Sequence, residues 1–225
     1  MKYNQFSART RICLVVALLS MVCLCSGCQA ILATFLWLTG GGETKAKYKV
    51  FKGKTVAVVC LAETLTDPRF DDVPRDLAKN VELHLSQNVR KITVVPSSKV
   101  KKWLDRQDEE MSDFQEFGKA MEADMVLVIY LDSFETSSPT SPGSYQGHAS
   151  TSFTVYEVSS GKPVASESLP ELVYPPNSRV MATDVKESEF RKLYIHQLGW
   201  GISRFFYSYD HRQNMAMDAH AELAR

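Results

Sequence analysis

Three short apolar runs limit what this chain can fold into: residues 56–61 (VAVVCL), 92–95 (ITVV) and 125–131 (MVLVIYL). Each is rich in β-branched residues and apolar at successive positions, not alternate ones, as strands covered on both faces of a sheet are. Between the first two, Leu77, Val81 and Leu85 recur every four residues and form one face of a helix. Asp72 stands at its cap position, and Pro74 is tolerated in its first turn. After Pro96, Ser97 or Ser98 opens a second helix with Val100, Trp103 and Leu104 on its apolar face. Ser112, with Gln115 three residues on, forms a capping-box pattern ahead of Phe114, Phe117 and Met121. Strands separated by helices need right-handed crossovers, and these produce a parallel core.

Past Asp132 the texture changes. Residues 137–143 (SSPTSPG) read as a loop, and 145–158 then alternate, with Thr151, Phe153 and Val155 on one face. A turn at 159–162 allows 164–173 to return beside them as an antiparallel hairpin. Asp184 with Glu187 is placed to cap a long last helix, with Phe190, Leu193, Tyr194, Leu198, Ile202, Phe205 and Phe206 on its apolar side. The expected fold class is α/β, a mixed sheet of about five strands in the order β-α-β-α(α)-β-β-β-α. Its core is parallel, with an added antiparallel hairpin. No internal repeat is present.

The front of the chain has a different character. Lys2, Arg9 and Arg11 precede an almost wholly apolar stretch, 12–24, and no acidic residue occurs before position 43. A basic start, an apolar middle and small residues at a cut site describe an export signal. The ending Leu24-Cys25-Ser26-Gly27-Cys28 resembles the bacterial lipobox, whose new N-terminal Cys receives lipid; the usual Leu three places before that Cys is here Cys25. That resemblance implies lipidation, such as palmitate, at Cys28, and Gln29 behind it implies the outer membrane. The apolar pattern resumes at 31–38, so 12–38 could instead span a bilayer uncleaved, since roughly 20 apolar residues suffice. A single acyl chain holds only marginally, which favours a lipid with an interfacial segment behind it. Either way the domain is tethered to a membrane and faces the periplasm. The expected organisation is a signal peptide at 1–27, a lipid-anchored apolar segment and linker at 28–53, the α/β domain at 54–209 and a polar tail at 210–225.

The 225 residues carry 26 basic and 26 acidic side chains. Removing the leader leaves 23 basic against 26 acidic, no excess that would suit a nucleic acid. Of five cysteines only Cys60 lies outside the leader and its cut, so neither an internal disulfide nor a CxxC metal site is expected. Neither a GxxxxGK[ST] nor a GxGxxG phosphate loop occurs, and Gly143-Ser144-Tyr145-Gln146-Gly147 has Tyr where a nucleophile elbow needs Ser. His84, His148, His196, His211 and His220 lack metal-ligand spacing. The carboxylate groups Asp71-Asp72 and Asp108-Glu109-Glu110 read as a helix start and a solvated turn, not as acid–base pairs. The expectation is no enzyme, no cofactor and no small-molecule substrate.

Several motifs point to a group of envelope domains. Lys54-Thr55-Val56-Ala57-Val58, then Val94-Val95-Pro96-Ser97-Ser98-Lys99-Val100, and the Gly118-(x)4-Ala123-Asp124 lead into the third strand are similar to the TolB amino-terminal, CsgG and LpoB group. Tyr145-Gln146-Gly147 and Val155-Tyr156-Glu157 fit its strand motifs. The resemblance covers about residues 54–206 and implies a binding domain in envelope assembly or trafficking. A subunit of a curli-exporter-type secretion complex is one alternative; its membrane-crossing strands would have to come from 145–173, where Pro and charged residues fit poorly. An unrecognised envelope hydrolase is another, with Asp132 or His148 as its test residues. Asp132, after the central strand where open α/β sheets place ligands, is a candidate partner contact, together with Tyr145 and Tyr156.

Overall fold

The computed structural model describes residues 43–62, 65, 67–106, 111, 113–137 and 141–210. The chain divides into a unit ending at Glu43 and one beginning at Thr44; the architecture below is the second unit's. The strands of its main sheet are β1 (Thr55–Leu61), β2 (Thr93–Val94), β3 (Met125–Ser137), β4 (Ser144–Glu157), β5 (Lys162–Ser168), β6 (Leu172–Tyr174) and β7 (Val180–Met181). Its helices are α1 (Val73–Asn88), α2 (Ser97–Leu104), α3 (Phe114–Met121) and α4 (Glu187–Ser203). One mixed sheet runs β2-β1-β3-β4-β5, and β6 and β7 pair with β4 further along it. The β1–β2 and β1–β3 ladders are parallel; every pairing of β4 is antiparallel. The expected mixed α/β sheet is therefore the observed one, with seven strands because the return strand is divided into β5 and β6 and the two-residue β7 is added.

Two apolar layers sandwich the sheet. Val56, Val58, Leu127, Ile129, Phe153 and Val155 face a core shared with α1 and α4. The alternate residues, Ala57, Val59, Val126 and Val128, face Val100 of α2 and Phe117 and Met121 of α3. Successive apolar residues in the parallel strands thus serve two different cores. Phe51, in the stretch read as linker, is buried against Phe206 with ring centroids 4.4 Å apart.

The Gly118-(x)4-Ala-Asp segment has a packing reason. A Cβ on Gly118 would stand 2.3 Å from Val158 Cγ2, so only glycine lets α3 approach the sheet this closely. Glu122 ends α3 in the left-handed region at φ 57°. Asp124 then joins three strand ends. Its carboxylate accepts from Thr55 N–H at 2.8 Å, its own N–H donates to Thr55 C=O, and its C=O accepts from Val158 N–H.

Several local expectations need correction. The cap of α3 is Asp113, whose carboxylate accepts from the N–H groups of Gln115 and Glu116; Ser112 lies outside the described residues. Asp72 does precede α1, but its side chain holds Arg75 at 2.6 Å and makes no cap hydrogen bond. Pro96, not a serine, precedes α2. Helix α4 starts after Lys186, while Asp184 takes a hydrogen bond from Thr183 in the turn before. The return strand splits at Pro170, which has no N–H to give the ladder, into β5 and β6. Asp132 does not end the central strand. β3 continues to Ser137 through a bulge between Leu131 and Ser133, burying Phe134 and Thr136.

Candidate functional site

The outer side of the α1–α4 pair holds the domain's most unusual surface. The helices cross closely because Gly199 faces Asn80; a Cβ there would stand 2.8 Å from Asn80 Cβ. Beside the crossing lies a groove of 620 Å³ lined by Lys79, Glu82, Leu83, Lys192, Leu193 and His196, among others. Leu83 is 47% exposed and Leu193 53%, two of the four large hydrophobic residues left exposed among the described residues. Leu193 was expected on the buried stripe of α4. The inward position belongs instead to Ile195, because the helix buries Phe190, Tyr194, Ile195 and Leu198.

Two histidines line the back of this crossing. The rings of His84 and His196 lie 4.6 Å apart at 44°. His84 Nε2 is buried and has no hydrogen-bond partner among the described residues. Burial, then the neighbouring His196, pushes the His84 imidazole down to about 4; burial also lowers His196. His196 Nδ1 lies 3.3 Å from Asn80 Oδ1.

The three partner-contact candidates do not converge. Asp132 is exposed at the bulge and borders a separate 420 Å³ hollow with Asp67, Arg69, Ser133 and Glu135. The cation there is engaged: Arg69 Nη2 reaches Asp67 Oδ2 at 2.7 Å, and this pairing lowers the Asp67 carboxyl. Tyr145 is half-buried and stacks on Phe190 at 5.4 Å; Tyr156 is half-buried and stacks on Phe114 at 4.9 Å. They occupy opposite ends of β4, and their odd and even positions face opposite sides of the sheet. Cys28 and the 108–110 carboxylates lie outside the described residues.

Of the remaining reactive groups, His148 Nδ1 meets Glu171 Oε1 at 3.1 Å on the surface. Cys60 is half-buried with its thiol pushed up by burial, the state of an unreactive thiol. Among the described residues no three His, Cys, Asp or Glu side chains are placed to hold a metal ion. No helix among them is long and apolar enough to cross a membrane. The exposed leucine pair had no sequence signal of its own, because Leu83 and Leu193 fall within patterns that read as ordinary amphipathic helix.

No family model matches the chain, and no curated protein matches it. Solved structures do. A PelC dodecamer from Paraburkholderia phytofirmans is 13% identical with a TM-score of 0.41, over 72% of this chain and 96% of that chain. Lipoprotein GNA1162 from Neisseria meningitidis is 14% identical with a TM-score of 0.43, over 66% and 97%. The LpoB C-terminal domain from Salmonella enterica is 11% identical with a TM-score of 0.35, over 54% and 83%. Bacterial lipoproteins are thus among the solved structures to which this chain is similar.

Proposed function

We propose that the chain is an envelope lipoprotein, anchored through Cys28, whose domain works without catalysis by holding a partner protein of cell-envelope assembly or trafficking. The observation that carries this reading is the groove beside the α1–α4 crossing, where Leu83 and Leu193 stand exposed. Surface leucines scattered singly are ordinary; two lining one groove, rimmed by Lys79, Glu82 and Lys192, have the make-up of a protein contact. The front end supports the tether: a basic start, an apolar stretch and Ser26-Gly27-Cys28. The periplasmic side is the expected location, with the outer membrane as the target that Gln29 implies.

The test places a photo-crosslinking residue at 83, at 193 and, as a control, at 119 on the far face of the domain, in cells making the full chain. The expected result is one common adduct from positions 83 and 193, none from 119, and release from the membrane fraction on Cys28→Ala. Equal labelling from all three positions, or a wild-type product that stays in the cytosol, removes the proposal.

A further inference from the structure

The parallel edge of the sheet is only half closed. Thr93 N–H donates to Lys54 C=O and Val95 N–H to Val56 C=O, so even-numbered residues of β1 turn their backbone groups toward β2. The ladder stops there for an identifiable reason. Pro96 has no N–H, and Ser97 N–H is taken by Glu82 Oε2 at 3.0 Å as the chain turns into α2. Val58 and Cys60 come next on that side. Among the described residues none pairs with their edge-facing N–H and C=O groups. Val58 is only 4% exposed, so these are costly groups to leave unpaired.

Beside them is a cavity of 270 Å³, bounded by Val58 and Cys60, by Pro74 and Ala78 of α1 and by Val100 and Leu104 of α2. These residues give it apolar walls, the exposed Asp71, Arg75, Lys101 and Asp105 also line it, and its open side is a strand edge. The volume falls just under the roughly 300–1,000 Å³ of small-molecule sites. The free edge from Val58 to Leu61 is about 10 Å long at about 3.3 Å per residue, room for about three residues of extended chain. The opposite edge of the sheet is guarded: in β5, Pro163 lacks an N–H and the Tyr48 hydroxyl donates to Ser166 C=O at 3.3 Å.

We propose that this cavity is a docking slot for an extended segment of a partner protein, which adds itself as a short strand beside Val58 and Cys60. The occupant continues a ladder that β2 has already begun, and its chemistry follows from what the slot lacks. It supplies backbone N–H and C=O at the strand repeat and one small apolar side chain between α1 and α2. The slot shares only Ser97 with the groove beside the α1–α4 crossing, so either site can fail without the other.

The test uses the purified full chain in detergent and two fluorescein-labelled, end-capped pentapeptides. One is Thr-Val-Thr-Val-Thr; the other is the same sequence N-methylated at every peptide bond. Fluorescence anisotropy is expected to saturate with the first and not with the second. Amide exchange at Val58 and Cys60 is expected to slow at least tenfold when the first is bound. Leu83→Asp, which disables the groove, is expected to leave this binding unchanged. No saturation up to millimolar peptide, equal binding of the methylated form, or protection along β5 in place of β1 overturns the proposal.

Discussion

Acid should loosen this domain through one imidazole. His84 is 7% exposed, and burial, followed by His196, holds its pKa at about 4 against an ordinary 6.5. Above pH 6.5 the ring is neutral both folded and unfolded, and its stabilising contribution is complete. Between 6.5 and 4 the unfolded chain takes up a proton that the folded one refuses, so stability falls as pH falls. At about 1.36 kcal/mol per pH unit that window amounts to about 3 kcal/mol. Solvent contact around the half-buried His196 reduces it to about 2 kcal/mol. His196, also lowered by burial, acts in the same direction. Glu82, whose carboxyl burial raises, acts in the opposite one. The assay is urea unfolding of wild type and His84→Phe at pH 7.0, 5.5 and 4.5. Phenylalanine keeps a ring against His196 and removes the titration, so the variant should lose about 2 kcal/mol less than wild type between pH 7.0 and 4.5. If the two curves run parallel, or if the His84 imidazole titrates near 6.5 by NMR, the reasoning is wrong.

Other substitutions have effects of definite sign. Gly147→Ala puts a Cβ 2.5 Å from the ring of Tyr194 and should cost about 1–3 kcal/mol, read as a lower urea midpoint with an unchanged slope. Tyr194→Phe strips the hydroxyl that donates to Leu172 C=O at 2.7 Å and should cost about 1 kcal/mol by thermal unfolding. Asp113→Ala removes two cap hydrogen bonds from α3 and should cost about 1 kcal/mol, recovered in good part by Asp113→Ser. Cys60 should resist alkylation at pH 8 in the native chain and react once urea has unfolded it, followed by mass spectrometry of its peptide.

The legible parts of this fold were those in which sequence spacing equals structural spacing. Leu77, Val81 and Leu85 lie on one helix face and are all fully buried, and the successive apolar residues of β1 and β3 divide between two cores as expected. The Tyr-x-Gly motif also has a physical meaning: Gly147 makes room for Tyr194, which arrives from a helix 47 residues later. Such long-range reasons leave only a lone glycine in the sequence. The bulge at Leu131–Ser133 was hidden because polar Asp132 and Ser133 interrupt the apolar run like a strand end. The groove was hidden because exposure of Leu193 depends on where α1 crosses α4, and no local pattern encodes a crossing point. The open edge at Val58 and Cys60 was hidden for a related reason. Residues 92–95 looked like four strand residues, yet only Thr93 and Val94 pair, and the early turn at Pro96 decides how much of β1 stays uncovered.

The unequal strand lengths have a mechanical consequence. β1 accompanies β3 only from Met125 to Tyr130, so beyond that point the sheet narrows to a ribbon of β3 and β4 with only the short strands β6 and β7 on the far edge of β4. The ribbon is pressed onto α4 by Phe134 against Tyr194 at 5.3 Å and Tyr145 against Phe190 at 5.4 Å. It therefore behaves as a cantilever clamped at its sheet end and propped by one helix. A pull applied at residues 137–144 would peel it from α4 long before the parallel strands felt any load.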